Sequence, residues 1–298
     1  MITLIQNILQ QHQLVGPFTI QQIIGLGVVN QVFEVRGQQG QYIIRLNEAT
    51  SELEYQKEYW CLERVASLGI PTAKVLARGL FAGHCYMIQA KIPGQNGKQS
   101  GAAQQALIWQ ALGRYARKFH QVKRIEVAAV EEAEFHHDWF ARLRYNLEEL
   151  NPADSLLARR IFTPQEYQRI RQALERLLNK KFQSGLVHGD LCPRNVIVEK
   201  DQVALIDWGT AEINVVPHNE IGVLLMSGEA SPEAFAYFLE GMGISDSAFQ
   251  EMKPDILLLN LLHQLDKYRW AESYDAEHLS DYGQKIRVAF EGLEPSST

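Results

Sequence analysis

Leu186-Val187-His188-Gly189-Asp190-Leu191-Cys192-Pro193-Arg194-Asn195-Val196-Ile197-Val198, answered a few residues later by Leu205-Ile206-Asp207-Trp208-Gly209, decides how this chain is read. A loop between apolar runs carries an Asp and, five residues on, an Asn. Asn195 to Glu199 and Gln202 to Ile206 read as strands turned at Lys200-Asp201, and a second Asp follows. Three oxygen-bearing side chains therefore gather at strand ends. Phosphoryl transfer asks for such a set: one carboxylate takes the proton of the attacking hydroxyl, and hard oxygen ligands hold Mg²⁺ on the phosphates. The spacing H-x-D-x-x-x-x-N is that of a kinase catalytic loop. It predicts Asp190 as the base and Asn195 and Asp207 as metal ligands.

The residues just quoted resemble the aminoglycoside phosphotransferase and choline kinase-like family of small-molecule kinases. The family pattern around the loop is close to H-G-D-L-H-P-x-N. Here Cys192 stands where His is frequent and Arg194 where Gly is common. The resemblance implies a protein-kinase-like α+β fold of two lobes: a small one with an antiparallel sheet and one helix, and a large helical one. It implies ATP and Mg²⁺ as cofactors and a small-molecule hydroxyl as acceptor. Arg194 is a candidate contact to acceptor or phosphate. His188 is expected to support the loop through its ring, Trp208 to pack behind Asp207, and Cys192 to fill space, since no Cys–His pattern accompanies it.

Upstream, Phe18 to Ile24, Gln31 to Arg36 and Gln41 to Leu46 are strand-like runs. Gly25-Leu26-Gly27-Val28-Val29-Asn30 lies between the first two, and Gly25, Gly27 and Asn30 are candidates for cradling nucleotide phosphates. Gly37-Gln38-Gln39-Gly40 looks like a hairpin turn. Ser51-Glu52-Leu53-Glu54 predicts a capped helix that ends at Gly69 and Pro71. Glu58 shares that helix's inward stripe with Leu62 and Val65. A buried carboxylate is costly unless paired, and Arg45, where kinases place a phosphate-binding Lys, is the expected partner. The alternative for Arg45 is an exposed strand cation. Val75 to Leu80 and Cys85 to Gln89 complete the strands. The hinge is expected at about 89–92, with backbone of Gln89, Ala90 and Lys91 on the adenine. This divides the chain into a nucleotide-binding lobe, 1–92, and a catalytic and acceptor-binding lobe, 93–298.

Downstream the pattern is helical. Ile108, Leu112, Tyr115, Ala116 and Phe119 recur at helical spacing. Thr163-Pro164-Gln165-Glu166 is a capping box, with Gly185 ending that helix. Ser231-Pro232 and Pro254 open two more. Two stretches are acidic and lack Lys and Arg, Ile125 to Asp138 and Ala271 to Gln284. Either they are solvated surface, or they line the acceptor side and favour a cationic, aminoglycoside-like acceptor, with Tyr268, Trp270 and Tyr274 adding aromatic contact.

The 298 residues carry 29 Lys plus Arg against 35 Asp plus Glu, a formal charge of -6, which argues against a general nucleic-acid binder. Three scattered cysteines, without C-x-x-C, suggest reduced thiols rather than zinc or disulfides. The N-terminal stretch is a poor signal peptide, and Ile256 to Leu265 is too short to span a bilayer. The expectation is a cytoplasmic small-molecule kinase without membrane or nucleic-acid partners. Three rivals are a protein kinase, against which no A-P-E follows Gly209, a catalytically silent nucleotide-binding scaffold, and a structural reading in which these polar groups merely satisfy one another.

Overall fold

The computed structural model describes residues 1–24, 31–122 and 138–293. Its N-terminal region is an antiparallel sheet of β1 (Thr19–Ile23), β2 (Gln31–Gly37), β3 (Gly40–Glu48), β4 (Val75–Phe81) and β5 (His84–Ala90), in the order β1-β2-β3-β5-β4. The chain alternates faces along β3. Tyr42, Ile44 and Leu46 are buried on one face, while Arg45 points to the other. The first face packs against helix α1 (Ile2–Gln11) through Ile5, Ile8 and Leu9, spaced to fall on one side of the helix. The region thus holds two helices, not the one expected, because the glutamines that interrupt the first apolar run lie on the outward side of α1.

The other sheet face receives α2 (Glu52–Ser67). Its expected capping box does not form. A 3₁₀ turn, Ala49–Ser51, runs straight into the helix, so Ser51 has φ -86° and ψ 14° and its hydroxyl caps nothing. Tyr55, Cys61, Leu62 and Val65 of α2, with Cys85 and Met87 of β5, share one hydrophobic cluster with the helical region that follows.

That region contains β6 (Gln95–Asn96), α3 (Ala102–Phe119), α4 (Trp139–Glu149), α5 (Pro164–Glu175), β7 (Gln183–Val187), β8 (Val196–Glu199), β9 (Gln202–Leu205), β10 (Glu212–Val216), α6 (His218–Ser227), α7 (Pro232–Met242), α8 (Asp246–Tyr274) and α9 (Leu279–Glu291). The Thr163–Glu166 capping box is complete, and Ser231 caps α7 through the Ala234 amide. Two readings change. Gly185 lies within β7 rather than ending a helix, and a Cβ there would strike the His120 carbonyl. Pro254 lies inside α8, whose cap is Ser245, accepting from the Ala248 amide. Helices α3 and α7 pack face to face because Gly113 and Gly241 leave room for each other's backbone. A second cluster joins α4, α5, α8 and α9 around Leu143, Ile170, Leu261, Leu265 and Ile286. At its centre Arg269 bonds Asp154 at 2.9 Å and Asn146 at 3.0 Å.

Candidate active site

Strand β7 pairs antiparallel with β10, Glu212 opposite Val187, and carries the chain into His188-Gly189-Asp190. Gly189 takes φ +76°, a conformation that costs a side-chain-bearing residue. The loop is fixed from several sides. Glu220 of α6, 1 % exposed, accepts from the His188 amide at 2.8 Å and the Gly189 amide at 3.1 Å. The Thr210 hydroxyl donates to the His188 carbonyl at 2.8 Å. The His188 Nε2 meets the Ile206 carbonyl at 3.1 Å, and its ring lies 4.6 Å from that of Trp208. His120 Nε2 stands 3.7 Å from Glu220.

Within the loop, the Asn195 amide donates to both the backbone carbonyl and Oδ2 of Asp190, each at 2.8 Å. Arg194 Nη2 reaches Asp190 Oδ1 at 2.5 Å, and its Nη1 reaches Glu229 at 2.5 Å. Strands β8 and β9 form the short hairpin, Val196 opposite Leu205. The Ile206 amide donates to the Asn195 carbonyl at 2.9 Å, which brings Asp207 beside Asn195. Asp207 sits at φ +65°, left-handed backbone that a non-glycine residue adopts only where its surroundings impose it. The next residue, Trp208, is fully buried and in edge contact with Phe119.

Across the site, Arg45 Nη1 bonds Glu58 and its Nη2 lies 3.6 Å from Asp207 Oδ1. Burial alone would lower the guanidinium pKa, but the charges of Glu58 and Asp207 outweigh it and the pKa is raised. Arg45 thus joins α2, through Glu58, to the strand end that carries Asp207.

The residues expected to hold Mg²⁺ pass a chemical test. Asn195 spends its amide N–H groups on Asp190, which leaves its carbonyl oxygen as the outward donor. The Asp207 side chain is 49 % exposed and meets Arg45 only at 3.6 Å. One neutral and one anionic oxygen, with the rest supplied by water and phosphate, is a set that Mg²⁺ takes. Among the described residues no cluster of three or more His, Cys, Asp or Glu could hold a metal, and the three cysteines are buried. Burial, reinforced by the charge of Asp190, pushes the Cys192 thiol up to about 12, so it stays protonated and unreactive.

At the expected hinge, two backbone amides are already engaged. The Ala90 amide donates to the Lys74 carbonyl at 2.9 Å and the Lys91 amide to the Gln41 carbonyl at 3.0 Å. Both donors are consumed by the sheet, and the side chain of Lys91 pairs with Glu34 at 2.9 Å. Gln89 is a buried strand residue opposite Ile43. The amides of Ala90 and Lys91 are thus taken up by the sheet, while their carbonyls and the Ile92 amide have no such partner among the described loop bonds. Gly25, Gly27 and Asn30 lie outside the described residues.

Sequence reasoning passed over Glu220 and Glu229. Glu220 was accessible to the logic applied to Glu58, a carboxylate immediately before the apolar run Ile221-Gly222-Val223-Leu224-Leu225. Glu229, on the exposed turn between α6 and α7, carries no sequence signal. Of the aromatic residues expected near an acceptor, Tyr268 is fully buried and withdrawn from that role. Trp270 and Tyr274 are exposed and stacked, with ring centroids 5.7 Å apart. The acidic stretch 125–138 lies outside the described residues except Asp138, which caps α4 by accepting from the amides of Phe140 and Ala141.

The sequence profile of the phosphotransferase enzyme family matches residues 20–254. No curated protein sequence matches. Among solved structures, the GDP and kanamycin complex of APH(2")-IIia superposes with TM-score 0.67 at 13 % identity, covering 98 % of each chain. The amicoumacin kinase hAmiN, in complex with AMP-PNP, Ca²⁺ and Ami, superposes with TM-score 0.62 at 19 % identity over 97 % of this chain and 92 % of that one. A thermostable mutant of APH(4)-Ia, in a ternary complex with ADP and hygromycin B, gives TM-score 0.64 at 11 % identity over 98 % and 99 %.

Proposed function

Because the chain belongs to the phosphotransferase enzyme family, we propose that it transfers the γ-phosphoryl group of ATP to a hydroxyl of a small molecule. The observation that carries this reading is the position of Arg45, held by Glu58 and facing Asp207 across the site. That arrangement aims one guanidinium at the place where nucleotide phosphates and Mg²⁺ would meet. A carboxylate oxygen of Asp190 takes the proton of the acceptor hydroxyl as the hydroxyl oxygen bonds to the γ-phosphorus and the bond from that phosphorus to the β,γ-bridging oxygen breaks, releasing ADP. Asn195 orients the Asp190 carboxylate through its amide. Glu220 fixes the loop backbone, so the base does not have to be positioned at the moment of reaction. Asn195 and Asp207 are the residues that would hold Mg²⁺, which when bound neutralises charge on the phosphates. Ile92 offers its amide to adenine, and Gly25, Gly27 and Asn30 are the residues proposed to bind the phosphates.

A protein acceptor fits less well. Only Gly209 to Ala211 separate Trp208 from β10, which is paired into the sheet with β7, so no long activation segment follows Asp207. The reading favours a compact hydroxylated acceptor and places the enzyme in the cytoplasm with its ATP. Among the described residues no helix is long and apolar enough to cross a membrane. Kanamycin and hygromycin B are named with two structural neighbours, and a cationic acceptor is the class proposed here. The test is nucleotide consumption with Mg²⁺ across a panel of aminoglycosides, macrolides, choline and neutral hydroxylated metabolites. Acceptor-dependent ADP release that vanishes in Asp190→Asn supports the reading. Wild-type protein that neither binds ATP nor releases ADP with any of them refutes it.

A further inference from the structure

Arg194 stands in the catalytic loop between two carboxylates, Asp190 and Glu229, at 2.5 Å from each. Its backbone is anchored as well, the Arg194 carbonyl accepting from the Asn96 side chain at 2.7 Å. The side chains of Arg194, Asp190 and Glu229 are 39 %, 33 % and 42 % exposed, so the guanidinium faces open space rather than a packed core. The site's other cation, Arg45, is committed to Glu58 and Asp207.

A hydroxyl that yields its proton to Asp190 must lie within roughly 3 Å of that carboxylate, and the phosphorus it attacks lies about 3–3.5 Å further. A guanidinium already bonded to Asp190 is therefore within one side-chain rotation of the group being transferred. Its planar fork matches phosphate oxygens two at a time. We infer that Arg194 contacts the γ-phosphoryl group of the bound nucleotide, and that Glu229 is the positioning residue that holds its other nitrogen. The Nη2 group that now donates to Asp190 Oδ1 is the one that turns to the phosphoryl oxygens. Glu229 keeps the guanidinium from folding wholly onto the base. This inference rests on the proposed reaction and adds to it a cation on the acceptor side of the phosphoryl group, opposite Arg45.

Calorimetric titrations of ADP and of AMP-PNP, each with Mg²⁺, separate the two ideas without an acceptor. Arg194→Gln should weaken AMP-PNP by about tenfold or more while ADP stays within about twofold, the scale of one charge-assisted hydrogen bond. Arg194→Lys should recover part of that loss. Glu229→Gln should weaken AMP-PNP by about two- to fivefold, again sparing ADP, since it loosens the guanidinium without removing it. Arg45→Ala should weaken both nucleotides. Equal effects of Arg194→Gln on ADP and AMP-PNP, or none, overturn the inference. Should that variant not fold, the same comparison on Glu229→Gln decides, and an unchanged AMP-PNP affinity there counts against it. Wild-type protein that binds neither nucleotide overturns the reaction itself and this inference with it.

Discussion

Glu220 reaches back from α6 to accept both the His188 and the Gly189 amides, one on each carboxylate oxygen. Two backbone donors next to the proposed base thus depend on one buried side chain. Glu220→Gln keeps the shape but turns one acceptor into an amide donor, leaving an N–H facing an N–H. The expected cost is about 1–3 kcal/mol of stability. The rate with the best acceptor should fall, because the loop that presents Asp190 loses a tether. Urea denaturation and steady-state kinetics check this together. An unchanged denaturation midpoint would mean that the two amides find other partners.

Arg45 and Glu58 have side chains 11 % and 2 % exposed, so their pair is buried. Removing one partner strands the other charge, at a cost of about 3–5 kcal/mol. Glu58→Ala should also let Arg45 move toward Asp207, the other carboxylate near it. We expect both single alanine variants to melt early, and the double variant to melt later than the sum of the two effects. Strict additivity in the double-mutant cycle would show the two residues act independently.

The roles proposed for Asp190, Asn195 and Asp207 can be separated by their variants. Asp190→Asn should leave ATP affinity nearly intact and lower kcat by about 10²-fold or more, the usual scale for a positioned acid or base. Asp207→Ala should instead abolish the gain in ATP affinity that Mg²⁺ brings, and Asn195→Ala should reduce it more mildly. Titrations with Mg²⁺ and with EDTA tell these apart. A Mg²⁺ effect that survives in Asp207→Ala would move the metal elsewhere.

The helix α5 cap offers a pH test of stability. The Thr163 backbone amide, then Arg287 and the Thr163 hydroxyl, hold the Glu166 carboxyl from its ordinary 4.5 down to about 2. The folded value is depressed. The carboxylate's contribution is therefore fully present above about 4.5 and is lost as pH falls toward about 2. Glu166→Gln should melt below wild type at pH 7, and the gap should shrink steadily across that window. A gap independent of pH would assign the effect to packing rather than charge.

Legibility in the sequence followed the range of each interaction. Asp190, Asn195 and Asp207 could be singled out because one loop and one hairpin carry them at fixed spacing. Glu58 could be read because a carboxylate on an apolar helix stripe demands a partner, and Arg45 was the cation in reach. Helix α1 was missed because its glutamines masked a three-residue buried face. Strands β7 and β10 were missed because each is short and pairs with the other across the whole catalytic hairpin. The sequence did not show that the Ala90 and Lys91 amides at the expected hinge are used by the sheet. Which amides a sheet consumes depends on register, and register depends on strands far apart in the chain. The Arg194–Glu229 contact joins residues 35 apart with no periodicity to announce it.

The acceptor's charge is the remaining question, and the C-terminal end of α8 is where it can be tested. Trp270 and Tyr274 are 52 % and 76 % exposed and stack on one another. Glu272, Asp275, Glu277 and Asp281 surround them in sequence. Not all of that charge is free, since Asp275 meets His278 at 2.7 Å and Tyr282 at 3.2 Å. Acids near an exposed aromatic pair are the chemistry that draws in a polyamine and holds it by cation–π contact. If the acceptor binds here, kcat/KM for the best acceptor should fall steeply as salt rises through about 0.1 M, where the screening length is roughly 10 Å. Trp270→Ala should raise the acceptor KM by about two- to thirtyfold, the range of one cation–π contact, with the ATP KM unchanged. Tyr268→Phe, at a buried ring, should leave both constants alone. A neutral best acceptor, or a salt-insensitive kcat/KM, would return these acids to the solvated surface and leave Trp270 as an ordinary exposed side chain.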